Sequence, residues 1–217
     1  MPRRCSSTTS TTCATDPVSR CLKILFFAVF VRPLVPIGLG LNVVNRSSLP
    51  TRGPAVIVAN HNSHLDTLVL MSLFPLAQIH RVRPAAAADY FLANRIRAWF
   101  SLNVIGIIPL ERTGGTETGD LFETCREALD QNCILILFPE GSRGSPERMG
   151  RIRKGIVYLL RGREHIEVTP VVLHGPGRAL PRGEALFVPF NCDVVIGEPM
   201  HVQGTAAEFV KALAETY

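Results

Sequence analysis

The chain has 217 residues, a length typical of one domain, and its 47% of apolar residues is enough for a full core, which excludes a wholly disordered protein. The formal charge is +5, and only three of the 23 basic residues are lysines, so the positive charge is mostly arginine, which suits phosphate groups. Aromatic residues make up 7%, and no basic run is interleaved with them, so we expect no nucleic-acid partner.

Residues 1–20 are rich in Ser and Thr and contain a single acidic residue. Such a segment has too little apolar surface to form a packed core, so we expect a disordered tail. An organelle transit peptide has a similar composition, although no amphipathic helix is visible in the segment.

The next segment, residues 21–37, contains an apolar run at residues 24–31 that Arg32 and two prolines follow. The run is too short to span a bilayer, which needs about 20 apolar residues. We therefore predict a helical segment that lies in the membrane interface, with Lys23 and Arg32 reaching the head groups. A helix buried in the protein core is the alternative.

From residue 38 to residue 217, short strand-like runs alternate with helical stretches, and no repeat or second domain is visible. Predicted strands cover residues 55–59, 104–110, 133–138, 167–173, 185–190 and 193–196. Predicted helices cover residues 63–73, 89–100, 118–132, 155–163 and 206–216. This alternation indicates an α/β domain whose mixed, mostly parallel sheet has helices on both faces.

The first motif, NHNSHLD at residues 60–66, follows the first predicted strand of this domain. Ser63 and Asp66 have the spacing of a capping box, so a helix can begin at Ser63. His61 then lies in the preceding loop, from which it can fold back to Asp66. A carboxylate on one ring nitrogen would fix the tautomer of His61 and leave the other nitrogen to take a proton from a hydroxyl.

A metal site is the competing interpretation of this motif, because His61 and His64 have HxxH spacing. No third ligand lies at a familiar spacing, so we expect no metal. The chain contains neither a Gly-x-Ser-x-Gly elbow nor an activated-cysteine signature. A histidine base without a protein nucleophile suggests that the substrate's own hydroxyl attacks.

Three further motifs occur downstream. FPEGSRG, residues 138–144, follows a buried-looking strand, a position at which α/β sheets place ligands. Gly141 would allow close approach of a ligand, and Arg143 would offer a fork to phosphate, although a solvated surface turn would look the same. GIIPLER, residues 106–112, ends in Arg112, and VTPVVL, residues 168–173, is an apolar strand typical of a core.

In this order and spacing, the four motifs resemble the blocks of the glycerophospholipid and lysophospholipid acyltransferases, of the 1-acylglycerol-3-phosphate acyltransferase type. The resemblance covers about residues 38–200 and includes the RKG at residues 153–155. The stretch FPEGSRGSPE looks most like bacterial members of the family. Gly144 departs from the pattern, because many members have Ser or Thr there.

The resemblance implies a glycerolipid acyltransferase fold and assigns roles to individual residues. His61 would be the general base and Asp66 would orient it. The residues expected to bind substrate are Arg112, Arg143 and Lys154 on the acceptor phosphate, Glu140 and Gly141 around the glycerol moiety, and Ser142. No bound cofactor or metal is implied.

The implied reaction moves a fatty acyl group from acyl-CoA or acyl carrier protein to the free hydroxyl of 1-acylglycerol 3-phosphate, giving phosphatidic acid for phospholipid biosynthesis. Glycerol 3-phosphate or another lysophospholipid is an alternative acceptor, and a non-catalytic lipid-binding protein on the same fold is an alternative of a different class. The resemblance also implies association with the lipid bilayer, with the active site on the cytoplasmic side of a bacterial inner membrane.

Overall fold

The structure is a computed structural model, and it describes residues 16–63, 65–88, 94–110, 120–141, 150–175 and 191–217. Its helices are α1 (Pro17–Phe26), α2 (Arg32–Leu39), α3 (Leu65–Ser72), α4 (Arg95–Phe100), α5 (Glu123–Asp130), α6 (Gly155–Leu159) and α7 (Ala206–Glu215). The π-helical turns Phe27–Val31 and Ser101–Ile105 continue α1 into α2 and extend α4, and short 3-10 helices cover Arg46–Ser48 and Ile79–Arg81.

The strands are β1 (Asn42–Val44), β2 (Ala55–Ala59), β3 (Val82–Ala87), β4 (Ile108–Leu110), β5 (Ile134–Leu137), β6 (Glu167–His174) and β7 (Asp193–Ile196). They form one sheet in the order β1-β7-β6-β2-β5-β3-β4. All neighbours pair in parallel except β6 and β7, which are antiparallel. The mixed, mostly parallel sheet predicted from the sequence is therefore confirmed.

Strand β2 lies at the centre of this sheet and is buried along its whole length. Because successive side chains of a strand point to opposite faces, Ile57 enters one hydrophobic core while Val56 and Val58 enter another. The residues around α1, α2 and α3 cover the first face, and α5, α6 and α7 cover the second. Helices thus lie on both faces, and β2 directs its carboxyl end between the two layers.

The N-terminal helix, which we define as residues 17–39, packs one stripe against the sheet and exposes the other. Phe27, Val31 and Val35 are buried in the first core, whereas Phe30 and Ile37 are exposed, the latter by 84% of its surface. The helix begins inside the segment 1–20 that was expected to be disordered, so that boundary was placed too late; residues 1–15 lie outside the described part. No helix of the described residues is both long and apolar enough to cross a membrane.

The structure corrects several predicted elements. The strand predicted at 104–110 begins only at Ile108, because residues 101–105 continue the preceding helix. Strands β1 and β3 were missed, since β1 has three residues and the alanines and proline of β3 lack the β-branched pattern of a strand. The strand predicted at 185–190 and the first residues of the helix predicted at 89–100 lie outside the described part of the chain.

Candidate active site

The candidate site begins where β2 ends. The side-chain amide of Asn60 donates to the backbone oxygen of Leu173 at 2.8 Å, and its Oδ1 accepts from the Leu173 N–H at 2.7 Å. Asn60 thereby extends the pairing between β2 and β6 by one link made by a side chain. This buried link fixes the backbone immediately before His61.

His61 and Asp66 form the pair that the sequence predicted. Nδ1 of His61 lies 2.9 Å from Oδ2 of Asp66, whose side chain is fully buried, while the His61 side chain is 20% exposed. With Nδ1–H directed to the carboxylate, Nε2 is left unprotonated as the proton acceptor. His61 thus has a fixed tautomer and partial access to solvent.

The same carboxylate oxygen also caps α3. The backbone N–H groups of Asn62 and Ser63 donate to Oδ2 of Asp66 at 2.6 and 2.7 Å, and the hydroxyl of Ser63 accepts from Leu65 N–H. The sequence predicted a helix start at Ser63 together with a pair between His61 and Asp66, and Oδ2 of Asp66 takes part in both.

The FPEG turn covers His61 from the side of β5. The ring of Phe138 is stacked on the imidazole, with centroids 4.1 Å apart and planes inclined by 22°. Glu140 is buried, and its Oε1 accepts from the His61 backbone N–H at 3.0 Å. Phe138 and Glu140 therefore hold the ring and the backbone of His61 respectively.

The rest of this turn is closed by the segment that begins at Gly150. Oε2 of Glu140 accepts from Gly150 N–H at 3.1 Å, and a Cβ at Gly150 would lie 2.6 Å from that oxygen. Gly141 has a left-handed backbone with φ of 74°, and a Cβ there would meet the guanidinium group of Arg153 at 3.0 Å. Arg153 in turn donates its Nε–H to Glu140 O at 3.0 Å. A side chain at Gly150 would displace the Glu140 carboxylate, and one at Gly141 would strain the backbone and push Arg153 slightly away.

The second motif begins in a buried basic environment. Gly106 has φ of 76°, its carbonyl accepts from Nε of Arg83 at 2.6 Å, and a Cβ there would lie 3.0 Å from Nζ of Lys23. Lys23 is buried and donates to Val82 O at 2.8 Å, so it does not reach out to head groups as predicted. Burial, and then the charge of Arg83, lower the pKa of Lys23 well below its usual range.

The structure brings together His61, Asp66, Glu140 and Gly141 among the predicted site residues. Lys154 is exposed immediately before α6, next to Arg153. His64, Arg112, Ser142 and Arg143 lie outside the described residues, and their roles stay predictions. Within the described ranges, no three His, Cys, Asp or Glu side chains are grouped as metal ligands.

Three residues of the site were not predicted from the sequence. Phe138 was quoted within its motif, but nothing in the sequence assigned its ring to His61. Arg153 was visible only as part of the RKG. The hydroxyl of the C-terminal residue Tyr217 donates to Val58 O at 2.6 Å beneath the site, and burial raises the pKa of that phenol, so it stays a neutral donor.

Comparisons with known proteins indicate the family to which this chain is similar. A family model described as Acyltransferase matches residues 40–174. The chain is 29% identical over 163 residues to the 1-acyl-sn-glycerol-3-phosphate acyltransferase LPAT1, chloroplastic, of Arabidopsis thaliana, covering 74% of this chain and 44% of that protein. It is 27% identical over 186 residues to the mouse 1-acyl-sn-glycerol-3-phosphate acyltransferase alpha, covering 82% and 61%.

Among solved structures, the fold matches the 1-acyl-sn-glycerophosphate (LPA) acyltransferase PlsC from Thermotoga maritima. The TM-score is 0.72 at 19% identity, and the match covers 91% of this chain and 77% of that one. At this identity the likeness concerns the fold. The chain spans 44% of the Arabidopsis relative's length.

Proposed function

The chain belongs to the acyltransferase family, and from that premise we propose that it transfers a fatty acyl group from a thioester donor to the free hydroxyl of 1-acylglycerol 3-phosphate. The product would be phosphatidic acid, and the donor acyl-CoA or acyl carrier protein. The observation that carries the proposal is the 2.9 Å contact between His61 Nδ1 and the buried carboxylate of Asp66, at the carboxyl end of the central strand.

The geometry supports a direct transfer without an acyl-enzyme. The acceptor oxygen attacks the thioester carbonyl carbon while Nε2 of His61 takes its proton, and the developing imidazolium is stabilised by Asp66. The tetrahedral intermediate then expels the thiolate as the C–S bond breaks, and Nε2 returns the proton to sulfur. The ester and the free thiol are the products, and His61 ends unchanged.

Acceptor recognition would rest on the arginines of the second and third motifs. Two guanidinium forks match a doubly charged phosphate monoester, which makes lysophosphatidic acid the acceptor of choice. In this proposal Arg112, Arg143 and Lys154 hold the phosphate, and Gly141 and Ser142 line the acceptor pocket. Glu140 would contribute to that pocket through the backbone it fixes, since its two oxygens accept from His61 N–H and Gly150 N–H.

We also propose that the protein works at a bilayer, because acceptor and product are lipids. The exposed apolar stripe of the N-terminal helix supports this role, since it leaves Phe30 and Ile37 uncovered. The proposed thioester donors are cytoplasmic molecules. The active site of the protein would therefore face the cytoplasmic side of a bacterial inner membrane.

An acceptor screen with labelled acyl-CoA in detergent micelles tests the proposal. Lysophosphatidic acid should yield labelled phosphatidic acid, whereas glycerol 3-phosphate and lysophosphatidylcholine should yield far less product. Preference for another acceptor would redirect the assignment within the family. Binding of lysophosphatidic acid with no labelled product from any acceptor would indicate the non-catalytic lipid-binding protein instead.

A further inference from the structure

The segment with Trp99 forms a second exposed apolar surface beside the N-terminal helix. We define the Trp99 helix as residues 95–105, that is α4 and the π-helical turn that follows it. Ile96, Trp99 and Phe100 have the i, i+3, i+4 spacing of one helical face, and Ile96 and Trp99 are 80% and 54% exposed. The face is apolar where a helix of a monomeric soluble protein would be polar.

The two helices are packed together, so their exposed faces form one continuous surface. The ring of Phe100 meets that of Phe26 edge to face, with centroids 5.2 Å apart, and the centroid of the Phe30 ring lies 5.8 Å from that of Phe26. Nearer the start of the N-terminal helix, the hydroxyl of Ser19 donates to Oδ1 of Asn103 at 3.2 Å. The Trp99 helix is therefore fixed relative to the N-terminal helix and is not an independent element.

This surface accounts for most of the exposed apolar side chains in the described part of the chain. Of fourteen large apolar residues that are exposed there, ten belong to these two helices: Val18, Leu25, Val29, Phe30, Leu34, Ile37, Ile96, Trp99, Phe100 and Leu102. Monomeric proteins rarely leave such residues concentrated in one place without an occupant.

The charges beside the surface indicate what covers it. Neither helix contains an acidic residue, whereas Arg20, Arg32, Arg95 and Arg97 are all exposed on them. An apolar face flanked only by arginines complements the acyl chains and anionic head groups of a membrane surface. A tryptophan at such a boundary has the ring best suited to the interface between chains and head groups.

We propose that the Trp99 helix is a second membrane contact, which docks together with the N-terminal helix on an anionic bilayer. The inference rests on the proposed work of this protein at a membrane and specifies the docking surface. Residues 106 and 107 connect the Trp99 helix directly to β4, and Arg112 follows two residues after β4. Docking through this helix would bring the start of the second motif close to the level at which a lipid phosphate lies.

Trp99 offers a direct test, because it is the only tryptophan of the 217 residues. The purified protein is transferred from micelles to phosphatidylcholine vesicles with and without phosphatidylglycerol, and its fluorescence is recorded. We expect a shift of the emission to shorter wavelength, and quenching by phospholipids brominated near the head-group end of their acyl chains. Flotation of the same samples reports binding independently, and it should weaken when phosphatidylglycerol is left out.

Matched variants test whether vesicle binding depends on this surface or on any exposed apolar residue of the protein. Tyr158 and Leu121 are also exposed, but Tyr158 is part of α6 and Leu121 lies two residues before α5, and these helices cover the opposite face of the sheet. The double variant Trp99→Phe/Tyr158→Trp should show no quenching by brominated lipid. Trp99→Ser should lower vesicle partitioning by about tenfold, whereas Leu121→Ser should leave it unchanged.

The outcomes distinguish this inference from the proposed function. If the protein floats with vesicles but Trp99 is not quenched, the Trp99 helix does not contact lipid and the inference fails while the membrane proposal stands. If the protein does not float, the membrane proposal itself fails. If the emission shifts with protein concentration in the absence of lipid, a second copy of the chain covers the surface, which also overturns the inference.

Discussion

Replacing Glu140 distinguishes a residue that positions His61 from one that binds the acceptor. Its two oxygens accept from the backbone N–H groups of His61 at 3.0 Å and Gly150 at 3.1 Å, and the side chain is buried. Glu140→Gln presents an NH2 group to one of these N–H groups and removes the charge from both contacts. Hydrogen bonds to a charged group contribute about 1.5–3 kcal/mol each, so we expect a loss of about that size for Gln and about twice as much for Ala.

The assay combines thermal unfolding with steady-state kinetics. A loss of about 1.5–3 kcal/mol in a domain of this size lowers Tm by roughly 3–12 °C. Because the backbone of His61 is no longer held, kcat should fall by about tenfold or more while the acceptor KM changes little. Glu164→Gln is the matched control, since Glu164 accepts from Gly162 N–H at 2.9 Å at an exposed site, and it should alter neither Tm nor kcat. An unchanged Tm with a raised acceptor KM for Glu140→Gln would refute the positioning role.

Three further predictions concern charge. Asp66→Asn should fold with its helix cap intact, since the hydrogen bonds from His61, Asn62 and Ser63 all go to Oδ2, which an amide oxygen can replace. It should lose about 10²–10⁴-fold in kcat because the charge of the imidazolium is no longer compensated; circular dichroism checks the fold, and retained activity would exclude a catalytic role for the pair. Arg143→Ala and Arg112→Ala should each raise the acceptor KM by about tenfold or more and spare the donor KM; weakened acyl-CoA binding with an unchanged acceptor KM would place these arginines on the donor. Lys23→Met should remove a pH dependence of the free energy of unfolding. The unfolded lysine binds a proton up to its usual pKa of 10.5, whereas the buried lysine releases its proton at lower pH. The native protein therefore becomes more stable as pH rises between these two pKa values. The free energy of unfolding of the variant, measured with denaturant, should therefore exceed that of the native protein by less as pH rises toward 10.5. A difference in free energy that is equal at all pH values would show that Lys23 is not a buried amine.

The sequence predicted the elements whose burial follows a clear pattern. Strands β2 and β7 have the predicted bounds, and α7 differs by one residue, because apolar periodicity and the turns around them agree. Strand β3 was missed because VRPAAA owes its strand conformation to its neighbours β4 and β5 and not to its own propensity.

At the site, local spacing was enough for His61 and Asp66, which lie five residues apart on one loop and helix start. It was not enough for contacts between distant segments. The stacking of Phe138 on His61 and the double role of Glu140 depend on parallel pairing of β2 with β5, which brings together residues almost 80 positions apart in the chain. Lys23 was expected at the head groups, but the rotation of its helix, set by the packing of Phe27 and Val31, turns it inward.

The central claim is that His61 takes the proton from the acceptor hydroxyl, and formation of phosphatidic acid by His61→Ala tests it most directly. Purified native protein and variant are given labelled acyl-CoA and 1-acylglycerol 3-phosphate under identical conditions, with Tm measured on both. We predict that the variant keeps its Tm and loses at least about 10²–10⁴-fold of the rate of product formation. A folded His61→Ala protein that makes phosphatidic acid at the native rate would contradict the account.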